Sequence, residues 1–319
     1  AVPKAAASEP AAPADPADWP ARLSAALSAA PAAGTIKAAS PWVKPIGKAP
    51  PQARIRLVTF NWTGNRGGAG SAHNFTKWPK MLGEQCPAET WECCDVAYPG
   101  RGMRMKEPNA TSAADIATAV ADALAAAGPP APTVLFGFSF GAILAYETAA
   151  LLTARGAAPL GLCVASAEHP GWEGRKEGAA PGGAATKGMN DGDFEGMLKA
   201  KGGTDVILNN EDMKKMYVPV IRSDMLMEEA YGAAPPSHPP LPCPVLVFRG
   251  AACPQVSKEL ADPWLALSGC PDKSRVQEIE TGLTPMPQGP WLSDWYLCQG
   301  EPSAMAMASA IAKDFGGAS

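Results

Sequence analysis

From residue 54 onward the chain alternates between short apolar runs and longer runs of helical periodicity. The short runs are rich in β-branched and aromatic residues and predict strands, whereas the longer runs predict helices between them. Strands that alternate with helices are typical of a mostly parallel sheet flanked by helices, so the pattern predicts an α/β fold. The predicted strands span 55–61, 91–97, 133–136, 160–166, 244–248 and 274–280, and the predicted helices span 74–82, 112–127, 142–155 and 303–314.

Residues 167–242 interrupt this alternation between two predicted strands. They begin with a glycine-rich loop and continue with helical patterns over 193–201, 211–218 and 219–231. An insertion at this point would cover the carboxyl ends of the strands, where sheets of this kind bind ligands. We therefore expect residues 167–242 to form a helical lid.

Residues 1–51 differ in composition from the rest, since eighteen of them are alanine and ten are proline. Such a segment cannot build a core of its own, so the sequence predicts an N-terminal arm over 1–51 and a folded domain over 52–319. Trp19, Leu23 and Leu27 recur at four-residue spacing, which predicts a short helix with one apolar face. We expect that face to pack on a protein surface, either that of its own domain or that of a partner in a larger assembly.

The overall charge excludes some function classes. A net charge of −4 gives no electrostatic support for binding nucleic acid. The alanine-rich run 117–127, which includes Thr118 and Asp122, is too short to span a bilayer. Only three histidines occur, none at ligand spacing from a cysteine, so neither a metal nor another cofactor is predicted.

Residues 137–141, Gly-Phe-Ser-Phe-Gly, match the G-x-S-x-G pattern of a nucleophile elbow. A predicted strand precedes them and a predicted helix follows, as the chemistry requires. The sharp turn between strand and helix lifts the serine hydroxyl above the sheet, and the start of the helix offers N–H groups to a developing oxyanion. The motif predicts Ser139 as a catalytic nucleophile.

Four further segments, in the same order along the chain, resemble the type II thioesterase family of the α/β-hydrolase superfamily. Residues 60–64 (Phe-Asn-Trp-Thr-Gly) are similar to that family's F-P-Y-A-G loop, 98–102 (Tyr-Pro-Gly-Arg-Gly) to L-P-G-R-G, 219–224 (Pro-Val-Ile-Arg-Ser-Asp) to P-x-x-R-x-D, and 241–245 (Leu-Pro-Cys-Pro-Val) to L-P-C-P-V. The family releases acyl groups from the carrier proteins of polyketide and peptide assembly lines. The resemblance implies an α/β-hydrolase fold with a helical lid and an acyl carrier protein or acyl thioester as partner. It also implies the backbone N–H groups of Trp62 and Phe140 as oxyanion donors.

The catalytic acid and base of the family are missing from their expected positions. In this fold a serine nucleophile is followed along the chain by an Asp or Glu and then by a His. The family's acidic G-x-D-D-P pattern is here Gly-Ala-Ala-Cys-Pro, so Ala252 and Cys253 replace both acids, and Leu283 stands in the place of the histidine. Because no histidine follows His238, the usual triad cannot form.

Another residue could take over the role of the base. His169 follows a strand and begins the lid, so of the three histidines it is the best candidate. His73 and His238 are weaker candidates, and Glu168 or Asp294 could supply a carboxylate. The elbow also has Phe138 where the family usually has histidine.

These departures favour a catalytically impaired thioesterase-like protein that serves as a binding or structural subunit, docked through its N-terminal arm. The alternative is an active acyl-thioester hydrolase that uses Ser139 with a non-standard base such as His169. The composition and the first residue, which is Ala rather than Met, favour an organellar location such as a plastid, with the cytoplasm as the alternative.

Overall fold

A seven-stranded sheet organises the chain in the computed structural model. The strands lie in the order β1-β3-β2-β4-β5-β6-β7, with β1 antiparallel to β3 and all other neighbours parallel. The strands are β1 Val43–Pro45, β2 Ile55–Phe60, β3 Trp91–Val96, β4 Thr133–Phe138, β5 Gly161–Ala165, β6 Val245–Gly250 and β7 Arg275–Ile279. The structure describes residues 14–28, 40–47, 50, 53–64, 75–85, 91–126, 131–177, 185–202, 204–232, 238–251, 253, 256–280 and 301–316.

Helices flank this sheet and confirm the predicted α/β fold with its mostly parallel sheet. Every residue of β2, β3, β4 and β5 is buried, as expected of central parallel strands covered on both faces. The helix α3 packs against α4, and α9 packs against α2. The helices are α1 Trp19–Ser28, α2 Trp78–Gln85, α3 Ala113–Ala126, α4 Phe140–Ala154, α5 Asp191–Lys201, α6 Asp205–Leu208, α7 Glu211–Tyr231, α8 Lys258–Ala261 and α9 Glu301–Phe315. Within the described residues, no helix combines the length and the apolarity needed to cross a membrane.

The predicted division of the lid at Pro219 is wrong, because α7 runs through this residue without a break. Proline removes one helical hydrogen bond and usually ends or kinks a helix. Here the following turns are held by burial, since Ile221 and Met225 pack with Phe194 and Leu198 of α5 in a small core of the lid. These tertiary contacts outweigh the local preference.

The described part of the N-terminal arm packs on the chain's own domain. The indole of Trp19 donates a hydrogen bond to the carbonyl of Leu160 at 2.6 Å and meets the ring of Phe315 edge-on at 6.2 Å. Leu23 and Leu27 also pack against the main core. Residues 43–45 then add the edge strand β1 to the sheet, an element that the sequence analysis missed. The surface expected for the apolar face of α1 is therefore the protein's own, while the domain boundary at residue 51 stays a prediction.

Candidate active site

Ser139 lies on a sharp turn between β4 and α4, as the elbow motif predicts. Its backbone has φ 53° and ψ −130°, a conformation that is strained for a residue other than glycine. Its N–H donates to the carbonyl of Ala165 at the end of β5 at 2.9 Å, which holds the turn against the neighbouring strand. The residue is partly exposed and lies at the carboxyl ends of the strands.

The two glycines of the elbow are required by close approaches of the backbone. A Cβ atom on Gly137 would lie 2.3 Å from the carbonyl oxygen of Gly141, within the turn itself. A Cβ atom on Gly141 would lie 2.4 Å from the carbonyl oxygen of Phe60 at the end of β2. Neither position has space for a side chain, so the sequence pattern reports a steric requirement of the turn.

The two predicted oxyanion donors lie at the start of α4 and in the loop after β2. Phe140 is the first residue of α4, so its N–H has no acceptor within the helix. Trp62 lies in the loop after β2, which we call the oxyanion loop (residues 61–64), and its ring meets that of Phe138 edge-on at 5.5 Å. The phenylalanine that replaces the family's histidine in the elbow therefore supports the residue predicted as the other donor.

The buried carboxylate of Asp95 holds the start of the oxyanion loop by hydrogen bonds. Asp95, at the end of β3, accepts hydrogen bonds from the side chains of Thr59 and Asn61, both at 2.7 Å. The hydroxyl of Tyr98 donates to the carbonyl of Asn61 at 3.1 Å. The position of the Trp62 backbone is thus determined by polar contacts on both sides of Asn61, a residue whose role the sequence analysis did not identify.

The lid is tied to the same loop by a buried ion pair. Asp224 of α7 accepts two hydrogen bonds from the guanidinium of Arg101, at 2.6 and 2.5 Å, and a third from the N–H of Gly64 at 2.7 Å. Three of the motifs that carry the family resemblance, at 60–64, 98–102 and 219–224, therefore meet at one carboxylate. The Arg222 guanidinium of the third motif donates to the carbonyl of Met189, which joins α7 to the segment before α5.

Further along α7, the lid reaches the elbow. The hydroxyl of Thr63 donates to Oε2 of Glu228 at 3.1 Å, and the ring of Tyr231 meets that of Phe140 at 6.4 Å. The hydroxyl of Tyr231 donates to Glu147 of α4 at 2.7 Å. Desolvation raises the pKa of Glu228 from 4.5 to about 7, and the nearby charge of Glu168 acts in the same direction. Glu228 was not predicted from the sequence, because an acidic residue on a lid helix resembles an ordinary solvent-facing position.

His169, the predicted alternative base, lies at the start of the lid, and the structure shows no hydrogen bond between it and Ser139, two residues that are both described. Its Nδ1 accepts the N–H of Gly171 at 3.2 Å, which places the proton of the neutral ring on Nε2. Burial and the nearby guanidinium of Arg175 lower the pKa of His169, which makes it a weaker base. That guanidinium donates to the carbonyls of residues 168, 169, 170 and 232 and so joins the start of the lid to the end of α7.

The other candidates contribute less to the site. Nε2 of His238 lies 3.2 Å from Oε2 of Glu147, a residue of α4, the helix that follows the elbow. The N–H of Cys253 donates to the carbonyl of Gly250 at 3.0 Å, and its side chain packs against the main core. Positions 73, 252, 283 and 294 lie outside the described residues. In the part of the chain that is described, no group of three or more His, Cys, Asp or Glu residues is arranged to hold a metal ion.

A nucleophile elbow at the carboxyl end of a mostly parallel sheet, beneath a helical lid, defines the chain as an α/β-hydrolase. The family model of the thioesterase domain matches residues 66–284, so the chain belongs to the thioesterase family. The thioesterase PikA5 of Streptomyces venezuelae is 29% identical over 225 residues, which cover 70% of this chain and 73% of that protein.

Two solved structures have the same fold. YbtT, a type II thioesterase from the yersiniabactin NRPS/PKS pathway, aligns with a TM-score of 0.67 and 24% identity over 87% of this chain and 99% of its own. RedJ, a thioesterase from the prodiginine pathway of Streptomyces coelicolor, aligns with a TM-score of 0.63 and 25% identity over 98% of this chain and 97% of its own. The thioesterase family inferred from the sequence motifs is confirmed, and YbtT shows that a type II thioesterase has this fold.

Proposed function

We propose that this protein hydrolyses acyl thioesters carried by a carrier protein, with Ser139 as the nucleophile. The observation that carries the proposal is the strained backbone of Ser139, held between two glycines that have no room for a side chain. Such strain costs about 1–3 kcal/mol and persists only where the surrounding structure enforces it. Carrier-bound substrates are favoured because YbtT is named as a type II thioesterase from an NRPS/PKS pathway.

The reaction would proceed through an acyl-enzyme. The Ser139 oxygen attacks the thioester carbonyl, and the resulting oxyanion is stabilised by the N–H groups of Trp62 and Phe140. The tetrahedral intermediate collapses with release of a thiolate. Because a thiol has a pKa of about 8.5, the leaving group needs no proton from the enzyme, and the missing histidine is less costly than in amide hydrolysis. Water then attacks the acyl-serine, the carboxylic acid leaves and the serine recovers its proton.

The test is thiol release from acyl-pantetheine thioesters and from acylated carrier protein. We expect release by the wild type and its loss, by at least about 100-fold, in Ser139→Ala. Ser223→Ala on the lid helix is the matched control, because its hydroxyl bonds only the carbonyl of Ala110 in the described structure. Equal rates in wild type and Ser139→Ala would refute hydrolysis through this serine.

The second candidate function is a catalytically impaired protein that binds acyl thioesters or partner proteins without turnover. It is favoured by the observation that, among the described residues, Ser139 has no hydrogen-bonded imidazole. Docking through the N-terminal arm would have to use residues other than the apolar face of α1, since that face packs on the main core. Binding of acylated carrier protein without thiol release would favour this candidate over the first.

A further inference from the structure

We propose that Glu228 of the lid is the general base of this site and accepts the proton of the Ser139 hydroxyl. The inference rests on the proposed function and identifies the group that replaces the missing imidazole. It stands on the position of Glu228 along α7, on the contacts of its carboxylate and on the charges around it.

The position of Glu228 follows from two anchors on the same face of α7. Asp224, four residues earlier, is bonded to Gly64 in the oxyanion loop, and Tyr231, three residues later, packs on Phe140 in the elbow. With a rise of 1.5 Å per residue, these anchors are about 10 Å apart along the helix axis, and Glu228 lies between them. Glu228 therefore lies beside the oxyanion loop, between the contacts that join α7 to that loop and to the elbow. As with His169, the structure shows no direct hydrogen bond between Glu228 and Ser139, two described residues, so the proton would pass through one bridging water or after a shift of the side chain.

The carboxylate is held by the oxyanion loop itself. Thr63, which follows Trp62, donates its hydroxyl to Oε2 of Glu228 at 3.1 Å. No hydrogen bond from another described residue reaches Oε1, so this oxygen has a lone pair available for a proton from the nucleophile. One oxygen thus fixes the orientation of the group and leaves the other to react.

The surrounding charges adjust the affinity of Glu228 for a proton. Burial and Glu168, from the start of the lid, disfavour ionisation, whereas Arg175, Thr63 and Lys201 favour it. The outcome is a pKa of about 7. A carboxylate with this pKa is largely ionised under mildly alkaline conditions and is a stronger base than an ordinary glutamate, as general-base catalysis requires.

In both steps of the reaction Glu228 accepts the proton of the attacking group. The ionised carboxylate takes the proton of Ser139 as its oxygen bonds to the acyl carbon, and the thiolate departs. The protonated Glu228 gives its proton to solvent, and the regenerated carboxylate takes a proton from the attacking water. When the acyl–oxygen bond breaks, the serine oxygen recovers that proton from Glu228 and the carboxylic acid is released.

The experiment measures the rate at which a fluorophosphonate modifies Ser139, with the site located by mass spectrometry. The serine oxygen attacks phosphorus, fluoride leaves and the base receives the proton, so the rate reports activation of the nucleophile without knowledge of the natural acyl chain. We expect the wild-type rate to rise as the pH passes about 7 and then to level off. Glu228→Gln should be at least about 100-fold slower at pH 8, because it retains an acceptor for Thr63 but cannot take a proton.

Matched variants make the assignment specific. Glu229→Gln, the next residue of the helix, bonds the backbone of Thr186 and Lys187 instead and should change the rate less than about twofold. Thr63→Val removes a hydrogen bond that lowers the pKa of Glu228, so its rate profile should move to higher pH. This displacement tests the proposal even if Glu228→Gln does not fold.

The outcomes separate this inference from the proposed function. A pH-dependent Ser139 rate that Glu228→Gln does not change, or that His169→Gln abolishes, would overturn the role of Glu228 and leave hydrolysis standing. Modification that depends on Glu228, without thiol release from thioesters, would support the base and refute the hydrolase. If Ser139 reacts neither with the fluorophosphonate nor with thioesters, both fail.

Discussion

The raised pKa of Glu228 predicts that the protein loses stability as the pH rises from about 4.5 to 7. In the unfolded chain the carboxyl loses its proton near pH 4.5, whereas in the folded protein it keeps it up to about pH 7. The folded state therefore binds one more proton in this window, and the free energy of unfolding falls with increasing pH. The stabilisation is fully present below pH 4.5 and is lost as the pH passes 7.

The size of this loss of stability follows from the pKa values of Glu228 in the unfolded and the folded protein. A difference between 4.5 and about 7 corresponds to about 3 kcal/mol at 1.36 kcal/mol for each pKa unit. Glu228→Gln removes the titration but keeps an oxygen that can accept the Thr63 hydrogen bond. The variant should therefore become progressively more stable than the wild type between pH 4.5 and 7, and reach a constant advantage of up to about 3 kcal/mol above that range. At 2–4 °C for each kcal/mol, this is a rise in Tm of up to about 6–12 °C.

The measurement is urea unfolding of the two proteins at intervals between pH 4 and 9, compared as the difference in unfolding free energy at each pH. Taking the difference removes the contributions of all groups that titrate identically in both proteins. Glu229→Gln supplies the same chemical change one residue along the helix. A difference between Glu228→Gln and wild type that stays flat across pH 4.5–7 would show that Glu228 titrates as an exposed carboxyl, and would remove the electrostatic support for its role as a base.

Three further perturbations test the architecture of the site. Trp19→Ala should cost about 3–5 kcal/mol in urea unfolding, because it removes a buried ring and its hydrogen bond to the main domain, and an unchanged midpoint would show that α1 is detached in solution. Asp224→Asn removes the charge that pairs with the buried guanidinium of Arg101, so it should cost about 3–5 kcal/mol and slow the modification of Ser139. A rate equal to that of the wild type would mean that this contact between lid and loop does not position the loop. Gly141→Ala forces a Cβ against the carbonyl of Phe60 and should abolish modification of Ser139. Gly196→Ala, at a position on α5 with open space around it, should fold and react normally. Equal rates of modification in the two variants would refute the steric requirement.

The sheet and the elbow were predictable because their signals are local. A strand buried on both faces needs a continuous apolar run, and 133–136 supplies one directly before the G-x-S-x-G turn; the observed strand extends into the motif to Phe138. The motif also predicts the steric crowding at Gly137 and Gly141, because a Cβ atom at either position would collide with backbone atoms of this turn or of the neighbouring strand.

The elements that the sequence analysis missed depend on contacts between distant parts of the chain. β1 is three residues long, contains Pro45 and exists because it pairs with β3. The continuous α7 depends on the burial of Ile221 and Met225 against α5. Glu228 becomes distinctive only when Thr63 lies beside it, and the two residues are 165 positions apart in the sequence. No local pattern carries this information.

A base on the lid would make the chemistry of this site depend on the closed lid. The histidine of the usual triad sits on a loop of the sheet scaffold and stays near the serine whatever the lid does. Glu228, in contrast, belongs to a helix that is held over the elbow by the Arg101–Asp224 ion pair and by the contact between Tyr231 and Phe140. If the lid moves to admit an acyl chain, the base moves with it, and Ser139 regains its full reactivity only after closure. Loosening the lid tie should then lower the maximum rate of Ser139 modification as well as the affinity for thioesters, whereas a scaffold-borne base would leave that maximum rate unchanged.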